Sequence, residues 1–586
     1  MCEKSPRHPR PPVASEPEDE SVFAAAAITG WKRWLYAVKD RAAALGLWLG
    51  TPFNVLRGRP RLGPVSRIVI APQDLRTSDP TAANDIYSGY FSFAGKALIS
   101  GGRSPFSILS APLPWTEELM GFGWLRHLRA ADTALSRANA RALIDDWINL
   151  CQTQTGIAWE TVVTARRLIS WISQSPFVLE GADPDFYHRF TRSLRRQTDY
   201  LDATLHGCRA PERRLRALIA RCYVALATQA APDYLDKASG ALGTEIDRQI
   251  LMDGGHISRN PAILIEILTD LLPLRQVYAT QNAAPPPSLL NAIDRMGPML
   301  RLFRHSDGAL ALFNGMGSTP TDLIATLIAY QDALAKAMEN AMASGYQRLA
   351  LDNTTLIMDS GAPPPEAYSA HAHAGCLSFE YADGAQRLII NCGSPPAGYD
   401  LWKQAARLTN AHSTLEIGGM SMAAPATLQL DWPRTPPLVT GPRVTLCQRQ
   451  EEQDGGLTVT ARHDGYLLAY GIEHERRITL KPRGVVTGQD SLLFAHEGRA
   501  RKVSDDFALR FHLHPTLEAS HNGTVHGIKI RAPNGRSWIF SCPDLPIEVA
   551  ESISFATADG GRRSLQLVMS GRFRTTALVR WQLAPA

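Results

Sequence analysis

No two of the eight cysteines stand in a C-x-x-C pair. Cys2, Cys151, Cys208, Cys222, Cys376, Cys392, Cys447 and Cys542 are scattered singly, which argues against a disulfide framework or a zinc knuckle and fits reduced, mostly buried thiols. Net charge is small as well: +5 over 586 residues. That gives no case for nucleic acid as the principal partner, and leaves room for a local basic cleft facing an acidic ligand. The N-terminus has no early apolar core and no small-residue cleavage site. Residues 1–21, rich in Pro, Glu, Lys and Arg, therefore read as a disordered tail and not as a secretory signal. Long uninterrupted apolar runs are missing too. The segment 22–55 carries Trp31, Trp34, Leu35, Leu45, Trp48 and Leu49, but Lys32, Arg33, Lys39 and Arg41 interrupt it, which argues against a spanning helix. As an amphipathic helix it either packs on the body of the protein or makes a peripheral membrane contact. No repeating motif demands a solenoid.

What is present is globular: 45% hydrophobic, 20% charged, with length enough for two large domains. After the connector that ends at residue 65, a short strand is expected over 66–71, then irregular chain over 72–110 with an aromatic loop at 85–93. Helical periodicity predicts helices over 131–153, 159–175, 185–206, 212–230, 234–252, 261–279, 287–304 and 322–341. Short Gly-, Pro- and Asp-rich turns between them imply antiparallel helical hairpins, arranged as a bundle, a solenoid or a closed ring. From Gln347 the period becomes two, with turn signals such as Asp383-Gly384, Asn522-Gly523 and Asn534-Gly535. An all-β half of this size is most simply a sandwich of large antiparallel sheets. The division expected is 1–21, 22–65, a helical domain 66–345 and a β domain 346–586.

Three constellations carry chemistry. In Asp253-Gly254-Gly255-His256-Ile257-Ser258-Arg259-Asn260-Pro261, Asn260 and Pro261 form a helix start. That puts His256 and Arg259 on a turn beside a helix N-terminus, a setting suited to a carboxylate or sulfate. A second polar turn holds Arg304 and His305. The third is Ala370–Glu380, where a strand period would turn His371 and His373 to the same face as Leu377 and Phe379. Together with Asn391, Cys392 and His412 it is a plausible metal site. His512 and His514 alternate with Leu509, Phe511 and Leu513 and are expected to face solvent.

With Pro72–Arg76, the aromatic loop, Phe122–Leu128, Arg166–Trp171, the 253–261 turn and 370–380 in view, the chain resembles the heparinase II/III family of polysaccharide lyases and lyase-like proteins. The resemblance implies an (α/α) toroid followed by an antiparallel β-sandwich. It also implies a reaction, β-elimination on a uronate-containing acidic polysaccharide, which needs a carboxylate neutraliser and a proton-abstracting base. By the resemblance His371 matches the catalytic histidine of the β domain. His373, Asn391 and His412 match the ligands of a structural divalent metal such as zinc, with Asn391 where an Asp is usual. The family's tyrosine base falls on Ala262 and Ile263, and its Asn-His pair on Arg209-Ala210. The lyase reading then rests on His371 and His256 as acid/base groups, with Tyr223 and Tyr330 as further base candidates. Arg259, Arg304, His305, Arg209 and Asn260 would hold the substrate. The alternative expectation is a non-catalytic glycan-binding protein of the same fold, in envelope or capsule assembly. The missing export signal points to the cytoplasm or the inner-membrane surface, and the resemblance to the periplasm.

Overall fold

The computed structural model describes residues 62–586 apart from 109, 206–207, 209–210, 332–334, 426–436, 495–503 and 558–559. The tail 1–21, the amphipathic segment 22–55 and Arg209 lie outside the described residues.

Proline and short polar caps set where the helices begin. Thr133 and Ser136 close a capping box on Ala134–Leu150, and Asp183 accepts from Phe186 N (2.8 Å) at the start of Pro184–Thr204. Pro211–Ala227, Pro232–Gln249, Pro261–Thr280 and Pro287–Leu302 each begin on the proline. Neighbouring helices pack as antiparallel hairpins into a toroid around a core rich in tryptophan, including Trp115, Trp147, Trp159 and Trp171. A buried cation is threaded through this core. The Arg167 guanidinium lies 3.9 Å from the Trp147 ring centroid and donates to Met120 O, Ala158 O and Gln197 Oε1 at 2.7–2.9 Å.

Three expectations in this half are corrected. Residues 66–71 form no strand; they run extended and are tied to the helical core by Val69 N–H donating to Ala227 O (2.8 Å). Within 72–110 the chain is more regular than expected, with a helix Thr81–Tyr87 and a hairpin of Tyr90–Phe93 with Lys96–Ile99. The helix expected over 322–341 covers only Thr321–Ala329, because Asn340 and Ala341 pair with Gln347 and Tyr346 as a sheet edge.

Among the described residues the β half is two large antiparallel sheets, with a two-stranded pair of Ala424–Pro425 and Leu438–Thr440 beside them. The eight-stranded sheet runs Val444–Glu451, Leu457–Tyr466, Ile472–Lys481, Val485–Phe494, Leu578–Pro585, Ser537–Ser541, Gly527–Arg531, Glu518–His521. The nine-stranded sheet runs Glu548–Thr557, Gly560–Arg572, Asp506–Leu513, Gln386–Ile390, Phe379–Asp383, Thr354–Asp359, Tyr346–Leu351, Asn340–Ala341, with Leu415–Ile417 added to Asp506–Leu513. Phe379 of one sheet stacks on Trp581 of the other at 5.5 Å, and Phe511 meets the same indole at 4.8 Å, which marks the sandwich core.

The two halves are clamped by Arg259, whose left-handed backbone (φ 62°) aims the side chain into the β half. Its guanidinium donates to Ser344 O (2.7 Å), Gly345 O (3.1 Å), Gly361 O (3.1 Å), Ala362 O (2.9 Å) and the Asp359 carboxylate. Gly361 is required here, since a Cβ at that position would stand 2.4 Å from the guanidinium. Asn314 extends the clamp, donating to Tyr346 Oη (2.7 Å) and Asp359 Oδ2 (3.0 Å) and accepting from His373 N (3.1 Å).

Candidate binding cleft

A cavity of about 500 Å³ opens where the helical half meets the Tyr90–Ile99 hairpin. The hairpin turn itself touches the β half, with Ala94 O lying near Gly398. Arginines from four places in the sequence converge in the cavity. Arg76 pairs with Asp270 (2.7 Å) and Asp74 (3.5 Å), Arg216 pairs with Glu266, and Arg166 lies 3.9 Å from Glu266. Arg126 is committed to the carbonyls of Thr77 and Gly123. The carboxylates Asp74, Asp85, Glu117, Glu118, Glu266 and Asp270 line the same space. Glu118 accepts from Ala94 N (3.2 Å). Tyr90, Phe93 and Trp124 contribute aromatic surface, and Tyr90 is 45% exposed.

Burial shifts these groups in opposite senses, because it penalises any charged form. It takes Arg216 down to about 9, with Arg166 and Arg76 adding like-charge repulsion. Arg166 is half-exposed to the cavity, and the walls around it and then Arg76 lower it as well. Glu118 opens to the cavity but is walled in by its neighbours. Burial raises its carboxyl, offset in part by the Ala94 N–H, Arg166 and Arg126. One turn before Arg216, Glu212 is raised by burial to about 7, against the pull of Arg216 and Arg213.

His371 stands at the edge of this field. It lies on a loop between the short turn Glu366–Tyr368 and the strand Phe379–Asp383, not on a strand as expected, because Ala372 N–H turns back to Ser369 O (3.1 Å). Its half-buried imidazole makes no side-chain hydrogen bond among the described residues. Burial, then Lys403, Arg407 and Arg216, lower it to about 3. His371 is therefore a neutral imidazole within electrostatic reach of a cleft arginine.

The other expected residues take different places. His256 is 2% exposed; its Nδ1 accepts from Ser258 Oγ (2.7 Å) and Ser258 N (3.1 Å), and its Nε2 donates to Gln249 Oε1 (3.0 Å). Both ring nitrogens are thus spent, and burial holds it at about 3. Arg259 is taken up by the clamp. Asn260 caps its helix by accepting from Ala262 N (2.8 Å). Arg304 is exposed on its turn and outside the cavity lining. His305 is buried with Nε2 on Glu380 Oε2 (3.0 Å). Tyr223 is buried and donates to Asp270 O (2.6 Å), and burial raises its phenol well above the ordinary range. Tyr330 donates to Gln73 Oε1.

His373 and His412 face one another, Nδ1 to Nε2, at 3.0 Å. Asn391 points elsewhere: Nδ2 donates to Glu380 Oε1 (3.2 Å) and Oδ1 accepts from Ser413 N (3.0 Å). Among the described residues no group of three His, Cys, Asp or Glu side chains is placed to hold a metal ion. Two imidazoles with no anionic third ligand do not fit a structural zinc site. His512, expected at the solvent face, is 2% exposed. Its Nδ1 accepts from Ser552 Oγ (2.8 Å) and its Nε2 donates to Asn410 O (3.0 Å), because the loop before Leu415–Ile417 covers that face of the sheet.

Residues 333–582 match the heparinase II/III-like C-terminal domain family. The chain is 31% identical over 529 residues to FtsZ-localized protein C of Caulobacter vibrioides (strain NA1000 / CB15N), covering 88% of this chain and 90% of that protein. The chain belongs to the heparinase II/III-like family. Its fold matches the crystal structure of heparinase III with a TM-score of 0.68 at 14% identity, over 97% of this chain and 94% of that one. It matches a heparan sulfate lyase from Pedobacter heparinus with a TM-score of 0.58 at 14% identity, over 95% and 91%. Within this family fold, sequence reasoning missed Arg216, Glu118 and Glu266 as cleft residues and gave no role to Arg76, Arg126 and Arg166. No local signal marks Arg216, which stands in a charged run with Glu212, Arg213 and Arg214 at the start of its helix.

Proposed function

We propose that this chain is a non-lytic saccharide-binding member of the heparinase II/III-like family that localises with FtsZ. The cleft holds a carboxylate-bearing glycan. The observation that carries the reading is the start of the helix Pro261–Thr280. The residues matched to the family's proton-abstracting tyrosine are Ala262 and Ile263, and the neighbouring His256 has no ring nitrogen left to take a proton. What remains supports binding: Arg166 and Arg216 for a carboxylate, Tyr90 and Phe93 for the apolar face of a sugar ring. The relative named for its localisation with FtsZ, similar across nearly its whole length, supports the cellular placement. Among the described residues no helix is long and apolar enough to cross a membrane. Fold membership alone does not fix chemistry.

Two measurements test the proposal. Purified protein incubated with a panel of uronate polymers is expected to give no ultraviolet absorbance of an unsaturated uronate. A signal that disappears in His371→Ala would establish the lyase reading instead. A fluorescent fusion expressed from the native locus is expected to co-localise with FtsZ; a distribution unrelated to that of FtsZ would remove the placement.

A further inference from the structure

The charged groups of the cleft are unevenly paired. Arg76, Arg166 and Arg216 crowd one end, near enough for the like-charge repulsion that lowers Arg166 and Arg216. Glu117, Glu118 and Asp85 line the other end, beside the Tyr90–Ile99 hairpin, where Arg126 is within electrostatic reach of Glu118 but donates its hydrogen bonds to Thr77 O and Gly123 O. Arg166 sits at the boundary, within electrostatic reach of both Asp270 and Glu118. At the arginine end the pairing is uneven: Arg76 takes both Asp74 and Asp270, while Arg166 and Arg216 share the carboxylate of Glu266. At the opposite end Glu118 has one backbone N–H and no ion pair within 4.0 Å among the described residues. Lys403, on the β half, lies outside the cavity lining, within electrostatic reach of Asp400, Arg407 and Glu117. A polyanion laid along the cleft would meet Arg166 and Arg216 favourably and then press its next acidic group against Glu118. A polycation would meet the converse. A ligand of both signs satisfies both ends.

We infer, building on the saccharide-binding reading, that the cleft selects a saccharide carrying both a carboxylate and a protonated amine. The carboxylate lies at Arg166 and Arg216 near His371, and the amine lies at Glu118. The ring between them stacks on Tyr90, whose half-exposed phenyl face opens into the same cavity. An N-acetylated sugar lacks the cation and leaves Glu118 facing an amide methyl.

The test is isothermal titration of the full chain with three oligosaccharides of equal length. These are N-acetylheparosan (carboxylates only), its N-deacetylated form (carboxylates and amines) and chitosan (amines only). The N-deacetylated form is expected to bind at least tenfold tighter than either of the others. Glu118→Gln keeps the acceptor for Ala94 N–H and removes the charge, so it should abolish that preference over N-acetylheparosan. Arg166→Gln should weaken both carboxylate-bearing ligands and leave chitosan unchanged. Arg166 is a half-exposed side chain, so this variant stays informative if the deeper Arg216→Gln fails to fold. Equal or tighter binding of N-acetylheparosan overturns the inference, and equal binding of chitosan overturns its carboxylate half. Binding of none of the three by folded protein overturns the saccharide reading itself.

Discussion

Nδ1 of His373 lies 3.0 Å from Nε2 of His412, and Nδ1 of His412 lies 2.8 Å from Leu408 O. The second contact settles the first. His412 donates through Nδ1 to the carbonyl, so its Nε2 carries a lone pair and accepts from His373 Nδ1–H. The pair is satisfied as two neutral imidazoles. Burial enforces this, holding His412 at about 4 and His373 well below its ordinary value.

Metal removal should therefore leave the protein unchanged. Dialysis against a strong chelator is expected to leave Tm where it was, and elemental analysis of the purified chain should find far less than one zinc per molecule. A chelator-induced drop in Tm that added zinc reverses would reinstate the metal.

Asn391→Asp restores a carboxylate at the expected metal position, yet it should weaken the protein. The Asn391 amide donates to Glu380 Oε1, and an Asp there would lose that donor and set two carboxylates side by side in the core. A loss of about 2–4 kcal/mol is expected in chemical denaturation, in line with a buried unpaired charge, and zinc should not recover it. Unchanged stability would mean that Asn391 is free to turn toward the histidines.

Arg259→Lys tests the clamp. Three ammonium donors cannot serve the four carbonyls and the carboxylate that the guanidinium holds. Breaking a buried ion pair and its hydrogen bonds costs about 3–5 kcal/mol, which a shift in the denaturant midpoint would read. A loss under about 1 kcal/mol would show that the halves hold together without it.

Acid should destabilise the fold well before the carboxylates protonate. Burial holds His256, His371 and His512 at about 3 and His412 at about 4, against 6.5 in the unfolded chain. A lowered histidine contributes its full stability above 6.5 and loses it as pH falls toward the folded value, at up to about 1.4 kcal/mol per pH unit each. Glu212 works in the opposite sense. Its carboxyl, held up to about 7, favours the folded chain as pH falls, and it offsets the share of one histidine. The expected net loss between pH 7 and pH 5 is on the order of 3–6 kcal/mol. Equal denaturation midpoints at the two pH values would refute the assignment of buried neutral rings.

The sequence was most legible where local chemistry decides structure. Asn260-Pro261 announced a helix start, and the helix begins there with the expected side-chain cap. It was least legible where distant chain decides. The strand Val485–Phe494 has no clean period of two, because Gly488, Gln489 and Asp490 interrupt its apolar pattern. Gly488 is there to admit the Trp581 ring, which a Cβ would meet at 2.0 Å, and Asp490 is there to take His474, Arg476 and Trp581 in the core. A period of two misplaced His371 and His373 because the loop that carries them is held by Asn314, 59 residues earlier in the chain. The cleft suffered in the same way. Arg76, Arg166 and Arg216 belong to one site only after the toroid has closed, and no spacing in the sequence announces it.

The strand Leu578–Pro585 has a further consequence. It is the latest of its eight in the sequence, yet it sits in the middle of the sheet, hydrogen-bonded to Val485–Phe494 on one side and Ser537–Ser541 on the other. During synthesis a ribosome must release residues 578–585 before the two portions of that sheet can join. Until then each portion exposes a bare inner edge able to recruit a neighbouring chain. A nascent chain stalled short of residue 578 is thus an aggregation hazard.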